Sequence, residues 1–125
     1  MYEYHHMGIP TTEEKDGEVY FPKFKMWVSR SGEFGVQWHR FDSDCDLHSL
    51  IQTMPHAAFR VENMEEALKG KRVILEPSSL AEGYLIAFIE DGGAPIELIQ
   101  TDFTEEESLL REKKDQSETE SVTDD

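Results

Sequence analysis

The sequence predicts an α+β fold made of two similar halves, the first of which lacks a helix that the second keeps. A histidine begins a strand-like segment twice, at "HHMGIPT" (5–11) and at "HAAFRV" (56–61). Each half also ends on a strand in which a polar residue interrupts apolar neighbours, Gln37 in "GVQW" and Glu97 in "PIEL". A repeat of this kind indicates an internal duplication of one supersecondary unit.

The two halves differ in length by about one short helix with its turn. His6 and Gln37 are 31 positions apart, whereas His56 and Glu97 are 41 positions apart. The additional positions correspond to "ENMEEALKG", a helix-forming segment that the first half does not contain. We therefore expect the order β-α-β-β-β only in the second half, and no regular helix across residues 12–20.

The other elements of the first half are strands and turns. Apolar and polar residues alternate in "EVYFPKFKMWVS" (18–29), where Phe24, Met26 and Val28 share one face. This alternation predicts a strand. The segments that follow are a glycine-containing turn, a strand and a linker with one helical turn, at 30–35, 36–41 and 42–53.

The second half contains the clearest helix signal, over residues 62–70. Asn63 is a typical N-cap residue and Gly70 a typical C-cap. Glu65 and Glu66 fall in the first turn, where carboxylates interact favourably with the helix dipole. The expected elements after this helix are a strand, a turn, a strand, a tight turn and a final strand, at 71–77, 78–83, 84–91, 92–94 and 95–101.

Composition and charge exclude several classes of function. The 125 residues include 12 Lys plus Arg and 27 Asp plus Glu, for a net charge of −15. An acidic protein of this kind is repelled by nucleic acids and anionic membranes. The single cysteine, Cys45, allows no internal disulfide, and the sequence shows no signal peptide or membrane-spanning segment, which favours the cytoplasm. Aspartates around Cys45 are expected to raise its thiol pKa, so it is a poor nucleophile.

The last 24 residues, 102–125, form a predicted acidic tail that is partly disordered. A short helix is expected to begin after Thr104, but "KKDQSETESVTDD" from Lys113 onward has one apolar residue, Val122. Such a segment cannot bury enough apolar surface to offset the entropy lost on ordering. Truncation after Glu112 is therefore expected to leave the melting temperature nearly unchanged, as measured by circular dichroism. A large decrease would show instead that the tail packs on the folded domain.

The second half resembles the C-terminal module of the vicinal oxygen chelate superfamily, which includes glyoxalases, bleomycin-resistance proteins and extradiol dioxygenases. The resemblance is carried by "PHAAFRVENMEEAL", "ILEP" and "GYLIAFIEDGGAPIELIQ". It implies two modules that form one curved mixed sheet around a divalent metal ion. In this chain the glyoxalase-like domain would be 1–101, with module one at 4–41, a linker at 42–53 and module two at 54–101.

The resemblance also implies a set of metal ligands on the first and last strand of each module. The residues at those positions are His6, Gln37, His56 and Glu97. Imidazoles, an amide and a carboxylate suit Zn, Ni, Co, Mn or Fe, although the residues do not identify the ion. His39 shares a strand face with Gln37, so it is either an alternative ligand or a proton carrier beside the metal.

Three functions are compatible with this resemblance. The first is a metal-dependent lyase or isomerase that acts on a small vicinal-oxygen substrate through metal-stabilised enediolate chemistry, with Glu97 and His39 as the catalytic candidates. The alternative is a non-catalytic ligand-binding protein of the bleomycin-resistance type. The third is a ring-cleaving dioxygenase with an iron site formed by His6, His56 and Glu97, although such enzymes are commonly much longer. The resemblance also implies a homodimer with a small-molecule ligand. His5, on the opposite face of the strand from His6, is expected at the surface or beside the ligands, and His48 at the surface.

Overall fold

The computed structural model describes residues 2–101, and in this range the chain forms eight strands and two five-residue helices. The strands are β1 (Glu3–Pro10), β2 (Val19–Phe21), β3 (Met26–Ser31), β4 (Val36–Phe41), β5 (His56–Arg60), β6 (Arg72–Ala81), β7 (Tyr84–Asp91) and β8 (Ala94–Thr101). The helices are α1 (Ser49–Thr53) and α2 (Met64–Leu68). The predicted α+β class is confirmed.

All of these strands belong to one mixed sheet with the order β2-β3-β4-β1-β5-β8-β7-β6. In each half the first strand pairs in parallel with the last, β1 with β4 and β5 with β8. β1 and β5 pair antiparallel at the centre and join the halves. The sheet therefore consists of two copies of one four-stranded unit.

The strand register supports the duplication inferred from the sequence. Gly8 pairs with Gln37 in the first half, and Ala58 pairs with Glu97 in the second. Where β1 and β5 meet, His6 pairs with Ala58 and Gly8 pairs with His56. This pairing is symmetric, because His6 is equivalent to His56 and Gly8 is equivalent to Ala58. Gln37 and Glu97 consequently occupy equivalent positions.

Residues from distant parts of the sheet share one hydrophobic core, which shows that the sheet curls. Phe21 and Val28, from β2 and β3, pack in the same cluster as Ile86 and Phe88 of β7. Ile51 of α1 belongs to this cluster and is 2% exposed. The linker between the halves thus covers part of the concave face of the sheet.

Helix α2 packs on the convex face of the second half. Asn63 is its N-cap and accepts a hydrogen bond from the backbone N–H of Glu66 at 2.9 Å, as predicted. The side chain of Gln100 on β8 accepts a second one from Met64 N at 2.7 Å, and Met64 packs in the same apolar cluster as Leu98. These contacts hold a helix that is too short to be stable alone.

In the first half, where β1 is joined to β2 by turns and irregular structure, a polar and aromatic cluster takes the place of a helix. The guanidinium of Arg40 lies 4.9 Å from the ring centroid of Trp27 and donates two hydrogen bonds to Glu18, at 2.9 and 2.7 Å. Asp42 accepts hydrogen bonds from Tyr20 and Trp27 at 2.7 and 3.1 Å. The side chains of this cluster cover the strands, and their polar groups form hydrogen bonds with one another.

Arg40→Gln is therefore expected to lower the urea midpoint of unfolding without changing the slope, because it removes the bidentate pair and the stacking on Trp27. The hydrogen bond from Arg40 lowers the pKa of Glu18, which shows that the pair favours the ionised carboxylate. Arg72→Gln is the matched control, since the Arg72 side chain is 77% exposed and 3.5 Å from Glu90. Exposed pairs contribute little to stability. Equal midpoints for the two variants would contradict the prediction.

The predicted single strand over 18–29 is wrong. The chain turns between β2 and β3, which pair antiparallel with each other. Phe24 N donates to Phe21 O at 3.1 Å in this turn, and Lys25 adopts a positive φ of 52°. Pro22 has no backbone N–H to continue the ladder, which explains the interruption.

The predicted turn over 78–83 is also wrong for most of its length. Strand β6 continues to Ala81, and only Glu82 and Gly83 form the turn. Pro77 is tolerated inside this strand because β6 lies at the edge of the sheet, where a missing N–H leaves no ladder partner unsatisfied.

Smaller differences concern the ends of elements. The helix expected over 62–70 spans Met64–Leu68, and its C-cap is Lys69, with Gly70 following at a φ of 72°. The turn expected over 30–35 is shorter, because β3 extends to Ser31. Neither α1 nor α2 is long and apolar enough to span a membrane. The predicted tail and its helix, within 102–125, lie outside the described residues.

Candidate metal centre

Three of the predicted site residues meet where the two halves join. Nε2 of His6 and Nε2 of His56 each lie 3.1 Å from the same atom, Oε1 of Glu97. The two histidines are each 2% exposed, and Glu97 is 4% exposed. Residues from both halves therefore form one buried cluster.

The register of the central strands explains this convergence. His6 and His56 lie on the adjacent strands β1 and β5, and β8, the other neighbour of β5, places Glu97 beside Ala58. Side chains alternate between the faces of a strand, so Glu97 lies on the same face as Ile99, a residue of the concave core. The polar cluster thus lies at the centre of the concave face.

Strand β4 contributes the other two predicted residues. Gln37 is 8% exposed and His39 is 4% exposed, and Nε2 of His39 lies 3.0 Å from Oε1 of Gln37. The ligand atoms of His6, His39 and His56 all lie within 4.8 Å of one another. The structure therefore brings together all five candidates, with His39 as a third imidazole and Gln37 hydrogen-bonded to it.

The cluster contains one ionised carboxylate and at least one neutral imidazole. Burial alone would raise the pKa of Glu97, but His6 and His56 outweigh it and hold that pKa well below its ordinary value. Burial, and then the charges of His56 and His6, hold the pKa of His39 well below its ordinary value, although Glu97 acts in the opposite direction. A buried carboxylate of this kind requires positive charge or hydrogen-bond donors beside it, which the two histidines or a metal ion held by the same atoms can supply.

The donor set fits a divalent transition-metal ion. An ion bound at about 2.0–2.2 Å from each ligand places the ligand atoms roughly 3–4 Å apart. The two separations of 3.1 Å around Glu97 Oε1 agree with that spacing. In addition, Nδ1 of His56 is buried and has no hydrogen-bond partner among residues 2–101. Such an atom is costly unless a ligand or an ion with its water satisfies the ring. His6, His39, His56 and Glu97 would hold the ion.

Gly8 makes room for His56, a role that the sequence analysis did not identify. A Cβ atom at this position would overlap Cε1 of the His56 ring and would come within 2.9 Å of Nδ1. The backbone of Gly8 has no positive φ, so the requirement for glycine is steric. The available signal was a glycine inside a strand beside a candidate ligand, which often marks close approach by another group.

His5 lies beside His6, and the prediction that it lies on the opposite face is wrong. The pairing of β1 with β5 shifts between Tyr4 and His6, and such a bulge can redirect a side chain. Nδ1 of His5 consequently lies 2.9 Å from Nδ1 of His6. One of these two nitrogens donates to the other, depending on the tautomers. With an ion on Nε2 of His6, its Nδ1–H would donate to His5, which would orient the ring as a hydrogen-bond partner orients a metal-binding histidine.

The polar cluster opens onto a small apolar cavity of about 40 Å³. His6, Gln37, His39 and Glu97 line one side. The opposite walls are apolar, and the linker contributes two of them, Leu47 and Ile51. The remaining lining residues are Phe21, Phe24, Met26, Val28, Leu75, Leu80, Tyr84, Ile86 and Phe88.

Cys45 and His48 do not line this cavity. Burial, assisted by nearby aspartates, raises the pKa of the Cys45 thiol as expected, and its Sγ donates to Phe24 O at 3.2 Å. His48 is exposed, and its Nδ1 accepts a hydrogen bond from Leu50 N at 3.1 Å as the N-cap of α1. Both residues therefore have local structural roles.

Comparison with solved structures identifies similar folds. The chain is similar to a hypothetical protein from Bacillus halodurans C-125, with 20% identity and a TM-score of 0.65 over 82% of this chain and 96% of that chain. It is also similar to methylmalonyl-CoA epimerase from Mycobacterium tuberculosis, with 18% identity and a TM-score of 0.58 over 81% of this chain and 89% of that chain. No family model and no curated protein sequence matches the chain. At these identities the similarity concerns the fold alone, and the chain has a glyoxalase-like fold.

Proposed function

We propose that this protein is a member of the vicinal oxygen chelate superfamily that binds a divalent metal ion and acts as a lyase or isomerase on a small oxygenated substrate. The observation that carries the proposal is the convergence of His6, His39, His56 and Glu97 at the join of the two halves. Four protein ligands leave open positions on an octahedral ion. The fold shared with an epimerase supports the reaction class.

The residues have distinct roles in this proposal. Glu97 supplies the negative charge that offsets part of the charge of the ion, while His6 and His56 hold the ion from the two halves. The bound ion would supply Lewis-acid stabilisation of negative charge on a substrate oxygen. His39 would be the third imidazole ligand, with Gln37 orienting its ring, and Glu97 faces the cavity as an ionised carboxylate that would take a proton from a carbon next to a carbonyl.

Metal content is the first test. Untagged protein equilibrated with Zn²⁺ or Co²⁺ and then gel-filtered is expected to retain about one ion per chain, measured by inductively coupled plasma mass spectrometry. His56→Ala is expected to lose the ion, because it removes a buried ligand. His48→Asn is the matched control, since that histidine is the exposed N-cap of α1 and lies outside the cluster, and asparagine keeps the cap. Equal metal content in the two variants would contradict the proposed site.

Proton abstraction is the second test. The metal-loaded protein in D₂O is expected to accelerate exchange of the carbon-bound protons of hydroxyacetone, followed by proton NMR. His39→Gln is expected to reduce both the exchange and the bound metal, because it removes one of the imidazole ligands, whereas His48→Asn is expected to change neither.

A binding function without turnover is the second candidate, and the mostly apolar wall of the cavity suits it. The cavity of about 40 Å³ is far below the roughly 300–1,000 Å³ of pockets for drug-sized ligands, so the ligand in that case is also small. Metal retention without any proton exchange would support this candidate over the lyase or isomerase.

A further inference from the structure

The walls of the cavity have a chemistry that restricts the ligand. Apart from the polar cluster and Tyr84, the described residues that line the cavity are aliphatic or aromatic, and none of them is Lys or Arg. A carboxylate or phosphate buried there would have no cationic side chain beside it. Burial of such a charge without a partner costs several kcal/mol.

The charge balance of the cluster leads to the same restriction. A divalent ion held by three neutral imidazoles and the Glu97 carboxylate retains one net positive charge. One further negative charge therefore neutralises the site, whereas a dianion leaves an excess negative charge in an apolar surrounding. The site therefore favours a ligand that carries a single negative charge when it is bound.

The size of the cavity restricts the ligand further. A volume of about 40 Å³ admits a ligand of only a few non-hydrogen atoms. The linker contributes to this limit, because Ile51 of α1 and Leu47 form part of the wall. Gln52 fixes the linker by donating hydrogen bonds to the carbonyls of Cys45 and Leu47, at 3.2 and 2.8 Å.

We propose that the cavity selects a small oxygen-donating ligand that carries a single negative charge when bound, and that it rejects dianionic, phosphorylated and bulky ligands. This inference rests on the proposed metal site. A ligand that is neutral in solution would bind with cleavage of one O–H bond, whose electron pair would stay on the ligand oxygen while the proton would pass to solvent.

The test uses the full chain loaded with Co²⁺, whose visible absorption reports changes in coordination. Acetohydroxamic acid is the neutral probe, because it is small and binds as a monoanion through two oxygens. Oxalate is the dianionic probe of similar size. We expect acetohydroxamic acid to change the spectrum with a dissociation constant on the order of a hundredfold lower than that of oxalate.

Variants of the wall separate charge from size. Leu47→Lys introduces a cation at a half-buried position and is expected to recover oxalate binding, whereas the neutral control Leu47→Met is not. Benzohydroxamic acid has the same chelating group with a larger body, so it is expected to bind only after Ile51→Ala. Circular dichroism establishes that each variant is folded, and the Leu47 variants test the inference even where Ile51→Ala does not fold.

Two outcomes distinguish failure of this inference from failure of the metal site. If Co²⁺ binds but oxalate binds as tightly as acetohydroxamic acid or more tightly, the inference is overturned and the metal site stands. The same conclusion holds if Co²⁺ binds and acetohydroxamic acid does not. Absence of any Co²⁺ spectrum in wild-type protein overturns the proposed function and, with it, the inference.

Discussion

Addition of Zn²⁺ or Co²⁺ to the metal-free protein is expected to raise its melting temperature on the order of 10 °C, and Glu97→Gln is expected to abolish the rise. A ligand that binds only the folded state at 100 times its dissociation constant adds about 2.7 kcal/mol of stability. In a domain of roughly 100 residues this corresponds to several degrees per kcal/mol. Glu97 is decisive because its Oε1 lies 3.1 Å from both His6 and His56.

The substitution to glutamine keeps the volume of the side chain and removes its charge, so the loss of metal binding can be separated from a packing defect. Glu90→Gln is the matched control, because Glu90 lies on the neighbouring strand β7 outside the cluster. Each variant is compared with its own metal-free melting temperature by differential scanning calorimetry. A rise in Glu97→Gln as large as in the wild type would show that Glu97 does not bind the ion.

Gly8→Ala is expected to destabilise the protein by about 1–3 kcal/mol and to remove most of the stabilisation by metal. The backbone of Gly8 can accept alanine, but the added Cβ would overlap the His56 ring. The ring can avoid the overlap only by leaving its position beside Glu97. Urea unfolding with and without Co²⁺ measures both effects.

A double-mutant cycle with His56→Ala tests the physical reason for this effect. When the imidazole is absent, the methyl group at position 8 meets no ring, so Gly8→Ala is expected to cost much less in the His56→Ala background. The same cost in both backgrounds would show that the effect arises from the strand backbone instead.

Much of the candidate site was predictable, because it depends on the alternation of side chains along each strand and on the similarity of the two halves. His6, Gln37, His56 and Glu97 were recognisable from their equivalent places in two similar halves, and the observed register places Gln37 and Glu97 opposite Gly8 and Ala58 as that equivalence requires. His39 was recognisable as a neighbour on the same strand face. Their assignment as metal ligands stays a prediction.

Other features of the site were not predictable from these patterns. The orientation of His5 depends on a bulge in the pairing of β1 with β5, and the importance of Gly8 depends on which ring lies over it across the strands. The turn after β2 and the extension of β6 past Pro77 depend on which strands lie inside the sheet and which lie at its edge. The pairing of strands decides these features, and the sequence of one strand does not specify which strands it pairs with.

The sequence by itself determined that the chain has two similar halves and that only the second contains the module helix, because helix capping, alternation and repetition are local properties. It also determined which polar residues interrupt apolar strands. Only the tertiary structure decided that a third imidazole joins the cluster, that Ile51 and Leu47 form part of the wall of a cavity of about 40 Å³, and that no described lining residue is Lys or Arg. These features depend on contacts between residues that are distant in the sequence. The curled sheet and the linker bring those residues within a few ångströms of one another, and only then do their charges and volumes define a site.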